Sequence, residues 1–188
     1  MLNVINNPVG IDVPIRKFQE RLHKQLMAAW GLDTTDQVQN AKYQSYARCY
    51  RNKKDNGYIA EVFETGKDYR DLYWDDTLAA LSFFGITSSE HDKEEKAKVH
   101  LVFFVDLNKL KPTLTHRADE EVRLDVLKLI QTANNGFTFD SVDLWLENVL
   151  KEYNGSYRDE RLKKVDMQPV HCFRINFTLN YNIKTCYN

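Results

Sequence analysis

Apolar residues recur at helical spacing near the start of the chain. Ile15, Phe18, Leu22, Leu26 and Ala29 or Trp30 line one face of a helix that begins near Asp12. Asp12 suits an N-cap, Pro14 a first turn, and Gly31 the residue that ends the run. Ahead of it, residues 1–11 carry Asn6, Asn7, Pro8 and Gly10 without a period and are expected to form a flexible arm. The pattern then turns β-rich. Residues 46–50 and 58–63 are predicted strands, joined across Asn56-Gly57, a pair that tight hairpins favour. A turn at Thr65-Gly66-Lys67 leads into residues 69–74, and residues 78–86 form a further apolar strand. Residues 87–98 are polar and charged and are expected to be a surface loop.

The second half is organised around one apolar run. Residues 99–107 are almost continuously hydrophobic, the pattern of a central strand covered on both faces. A helix follows, from Thr115 or His116 to Ala133, with Val122, Val126, Leu129, Ile130 and Ala133 on its buried stripe. A third helix is predicted from Asp140 or Ser141, because Val142, Trp145, Leu146, Val149, Leu150 and Tyr153 fit one helical face; a strand is the alternative. The last element alternates. His171, Phe173, Ile175, Phe177, Leu179, Tyr181 and Ile183 are expected on a buried face, with Cys172, Arg174, Asn176, Thr178, Asn180 and Asn182 on a wet one. Together these elements predict an α+β fold: a mainly antiparallel sheet packed with two to three helices, in a single domain over residues 12–188.

Composition narrows the functional classes. The 188 residues carry a net charge of −1, so the basic excess of a whole-surface nucleic-acid binder is absent. The N-terminus lacks the basic and apolar regions of a secretory leader, and no window approaches the roughly 18 apolar residues of a membrane span. Synthesis in the cytosol is therefore expected. Cys49, Cys172 and Cys186 are odd in number and widely spaced, which reads as reduced thiols.

Chemistry is sparse. The sequence holds no Gly-rich phosphate loop, no HExxH and no GxSxG. His23, His91, His100, His116 and His171 are scattered; His100 and His171 each begin a predicted strand and become neighbours if those strands pair. His116 and Glu120 share a helical face, which a first-turn acidic cluster explains as well as a metal does. Asp68, Asp71, Asp75 and Asp76 form a carboxylate cluster, but a restriction-type nuclease needs Glu-x-Lys on the adjoining strand, and Glu61-Val62-Phe63 puts Phe where the Lys belongs. No catalytic, cofactor-binding or metal-binding residue is assigned. A metal-dependent nuclease and a small binding module remain as alternatives to a structural role.

The order of elements resembles the tail terminator or tail-completion proteins of tailed bacteriophages. The likeness runs over residues 12–183: the N-terminal helix, the hairpin-bearing sheet, the strand at 99–107 running into a helix, and the closing strand at 171–183. This resemblance implies a homo-oligomeric ring in the virion neck, at the head–tail junction. The ring would touch itself and portal, adaptor and tail proteins, with DNA passing through its channel. It implies no catalytic residue and no cofactor. A ring subunit needs two different contact surfaces. Tyr69, Tyr73 and Trp74, rimmed by Asp71, Asp75 and Asp76, are the candidate interface, because aromatic anchors within a charged rim suit one. The basic partner in the next subunit would be the Lys53-Lys54 turn or the segment 158–164.

Overall fold

Two sheets and two main helices divide the hydrophobic residues into two cores. The computed structural model describes residues 1–54, 57–72, 74–91, 95–131, 136–153 and 167–181. In chain order the elements are β1 (Leu2–Asn3), α1 (Asp12–Ala29), α2 (Gln37–Lys42), β2 (Tyr43–Arg48), β3 (Tyr50–Lys54), β4 (Gly57–Phe63) and β5 (Tyr69–Asp71). They continue with β6 (Ala80–His91), β7 (Glu95–Asp106), α3 (Leu107–Leu110), α4 (Asp119–Gln131), β8 (Phe137–Asp143), α5 (Leu146–Val149), a 3₁₀ turn (Lys151–Tyr153) and β9 (Val170–Tyr181). The larger sheet has the order β1-β2-β6-β7-β9-β8, and the smaller β3-β4-β5. Pairs from β6 onward are antiparallel, whereas β1, β2 and β6 run parallel. The fold is α+β with a mainly antiparallel sheet.

Alternation along β7 and β9 assigns the two cores. Val99, Leu101, Phe103 and Val105 of β7, with Phe173, Ile175, Phe177 and Leu179 of β9, face the apolar stripes of α1 and α4. Val102 and Phe104, with Cys172, face the other way, onto Ala60 and Val62 of the small sheet and Val149, Leu150 and Tyr153. The doubly covered strand expected at 99–107 is therefore present. The chain passes between sheets at Cys49, whose backbone N–H bonds Phe84 O at 2.6 Å, so the two strands predicted at 46–50 and 58–63 do not pair as expected. β2 belongs to the large sheet, and the hairpin is β3–β4.

Four expectations are corrected. The stretch expected as a flexible arm supplies β1, parallel to β2, and Gln19 of α1 fastens it by donating to Asn3 O at 2.8 Å and Ser45 O at 3.0 Å. Within the stretch expected as a loop, residues 87–91 and 95–98 extend the β6–β7 ladder, with Glu90 opposite Lys96 in register. The third helix is mostly strand: β8 pairs with β9, Val142 lying opposite Ile175. Its helical stripe survives only where α5 and the 3₁₀ turn carry Val149, Leu150 and Tyr153 into the second core. Trp145, at φ 69°, turns the chain between the two. Finally, the first half of β9 has no wet face: Cys172 and Arg174 are buried like Phe173 and Ile175, because the second core covers them. Cys186 lies outside the described residues.

Candidate functional site

The residues predicted as an interface do not form one cluster. Tyr69 stands on β5 and is 41% exposed. Trp74 packs against the second core instead, and its indole N–H donates to Asp76 Oδ1 at 3.2 Å. Asp75 closes a turn by accepting from Thr77 N at 2.8 Å, and that bond holds its carboxyl below the usual range. Lys109 donates to the Asp76 carbonyl and lies along this turn. Tyr73 and the segment 158–164 lie outside the described residues.

Tyr69 gathers different aromatics from those expected. Strand register puts Tyr50, Glu61, Phe63, Tyr69 and Asp71 on one face of the small sheet, since residues directly opposite share a face. The Tyr69 ring lies 5.5 Å from Tyr50 and 5.6 Å from Phe63, both edge-on. The Arg48 guanidinium sits 4.6 Å over Tyr50 and bonds its hydroxyl at 2.7 Å, while Arg48 Nε meets Asp12 at 3.2 Å. Burial raises the Asp12 carboxyl above its ordinary value, against the pull of Arg48. Sequence spacing pointed to Tyr69 but missed Tyr50 and Phe63, because only the register of a three-stranded sheet brings them together.

A second constellation lies inside. Arg174, 2% exposed, donates from Nη1 to Glu152, from Nε to Asn176 at 2.7 Å and from Nη2 to Thr87 at 3.3 Å. Thr87 Oγ1 bonds His100 Nδ1 at 3.2 Å, and Tyr153 Oη bonds Cys49 Sγ at 2.5 Å. Gly85 makes room: a Cβ there would overlap the His100 imidazole and come within 2.9 Å of Tyr153 Oη. Burial, then the Arg174 charge, pushes His100 down to about 3, and burial pushes the Cys49 thiol up to about 12. Burial also raises Glu152, but its bond to Arg174 and the charge of that guanidinium outweigh this and leave it low. A neutral imidazole and a protonated thiol with no solvent access bond their neighbours; they present neither a nucleophile nor a base outward. The one sequence signal for this network was Gly85 inside an apolar strand, the mark of a close approach.

The remaining histidines separate. β7–β9 register sets Val105 opposite His171 and His100 opposite Asn176, so the two histidines are not neighbours. His171 Nδ1 meets Arg117 at 3.2 Å beside a cleft of about 330 Å³ that Arg123 and Trp145 also line. His116 pairs with Glu121 at 2.8 Å, and Glu120 with Arg123, so the face shared by His116 and Glu120 is not used. His23 stacks 4.9 Å from Tyr43, and burial lowers it to about 4. Among the described residues, no helix is long and apolar enough to cross a membrane.

No protein-family model matches this chain, and no curated protein matches it.

Proposed function

We propose that this chain is a structural subunit of a homo-oligomeric ring at the head–tail junction of a tailed bacteriophage, of the tail-terminator or tail-completion type. It joins portal-side neck proteins to the tail, DNA passes through its channel, and it catalyses nothing. The observation that supports this is a division of labour between surface and interior. The side chains suited to chemistry are tied up inside the fold: His100 and Arg174 both bond Thr87, and Cys49 bonds Tyr153. The half-exposed aromatic face around Tyr69, with Glu61 and Asp71 beside it, has the make-up of a protein contact. Counting copies of the chain in purified particles by quantitative mass spectrometry tests this reading: several copies per particle are expected, and a single copy contradicts it. The nuclease alternative is tested separately, with Mg²⁺ or Mn²⁺ and plasmid DNA. No cleavage is expected, and cleavage lost in Asp75→Ala or Asp76→Ala would overturn the structural role.

A further inference from the structure

The cleft beside His171 brings cations together with an exposed indole. It holds about 330 Å³ and is lined by Arg117, Asp119, Arg123, Leu144, Trp145 and His171. That volume lies at the small end of ligand sites. Among these lining residues, two guanidinium groups and an imidazole stand against one carboxylate. A guanidinium only donates, so Arg117 Nη2 donates to Nδ1 of the buried His171, at 3.2 Å, and this bond holds Arg117 at the wall. Arg117 Nε lies 3.6 Å from Asp119, and Arg123 pairs with the mostly exposed Glu120. Ion pairs this open to water are weak. A phosphate meeting a guanidinium fork makes two parallel charge-assisted bonds and competes well against them.

Folding does not account for a tryptophan at the mouth of this cleft. Trp145 is 65% exposed, so little of its ring is buried. Its φ of 69° suits glycine or asparagine and is an outlier for a bulky residue. Its carbonyl starts α5 by accepting from Asn148 N and Val149 N, both at 3.0 Å, a role that any residue's backbone fills. An exposed indole is a platform on which a flat ring stacks.

We propose that this cleft binds a nucleotide, with its base stacked on Trp145 and its phosphate held by Arg117 and Arg123. The site goes beyond the ring reading and stands without it. Bases within a duplex are stacked on one another, so the nucleotide is a free one or the unpaired end of a strand.

Isothermal titration of the full chain tests the site. The probes are deoxyadenosine monophosphate and a 5′-phosphorylated single-stranded oligonucleotide. Deoxyadenosine, inorganic phosphate and benzoate are the controls. Either probe should bind saturably, and each control about tenfold or more weakly, because each lacks the base or the phosphate. Tighter binding of the oligonucleotide assigns a strand end, and tighter binding of the mononucleotide a free ligand. Trp145→Asn removes the ring and suits the backbone, so it should melt no lower than wild type yet bind the probe about tenfold or more weakly. Arg123→Gln should weaken the probe by a similar factor and leave deoxyadenosine unchanged. Circular dichroism checks folding; if Trp145→Asn fails to fold, Arg123→Gln carries the test. A wild-type chain that binds neither probe overturns the proposal. So does phosphate or benzoate binding as tightly as the nucleotide, or a folded variant that binds as wild type does.

Discussion

Gly85 shows how one residue licenses a network. With no side chain there, the His100 ring and the Tyr153 hydroxyl both approach the β6 backbone, and Tyr153 bonds Cys49. Gly85→Ala forces these groups apart in a packed core. It should cost about 1–3 kcal/mol in denaturant unfolding, and a variant as stable as wild type would show that the approach is not tight. Burial also makes the fold sensitive to acid. His100 and His23 are held neutral, lowered to about 3 and about 4, so below the ordinary value of 6.5 the unfolded chain binds protons that the folded chain refuses. Stability should therefore fall as pH drops from 6.5, down to about 4 for His23 and about 3 for His100. The slope should be roughly 1.4 kcal/mol per pH unit for each imidazole. Glu152, held low beside Arg174, adds a loss of the same sign at lower pH. His100→Gln should flatten the limb in denaturant melts taken across this range, and an unchanged slope would place the proton uptake elsewhere.

At the scale of elements, β9 was the most legible in the sequence and also the most informative where it departed. Its alternation predicted Phe173, Ile175, Phe177 and Leu179 inward, and all four are fully buried. The same alternation could not reveal that a second core covers Cys172 and Arg174, because that cover comes from residues far away in the chain, Ala60, Val62 and Tyr153. Tertiary pairing likewise decided β8. Val142, Trp145 and Leu146 keep helical spacing, yet residues 137–143 pair with β9, and only the tail of the pattern forms helical turns. The polar run at 87–91 extends β6 because its partner strand supplies the hydrogen bonds, whatever its own hydropathy. Phe177→Ala should cost about 3–5 kcal/mol, since the ring packs edge-on against Phe18 and Phe137. Thr178→Ala should cost less but not nothing, because its hydroxyl bonds Asp140 at 3.0 Å and accepts from Lys98 at 2.7 Å. Thermal melts of the pair check this, and equal losses would mean that β9 does not present Phe177 to the main core.

For the whole molecule, the proposed ring requires two different contact surfaces on one chain. The candidate site was only partly legible. Tyr69 was visible as aromatic bulk outside a core stripe, whereas Trp74, read the same way, packs half-buried against the second core. Nothing in a linear pattern distinguishes an exposed tyrosine on a small sheet from a tryptophan packed against a core. Arg48, Tyr50 and Phe63 join Tyr69 through sheet register and so were not visible at all. In the proposed ring this chain works as one of several identical subunits around a channel. Electron microscopy of the purified particle, with the chain located at its head–tail junction, tests it most directly. A closed ring of copies is expected, with the Tyr69 face of each subunit covered by its neighbour. A single copy, or a ring in which the Tyr69 face looks into solvent, would contradict it.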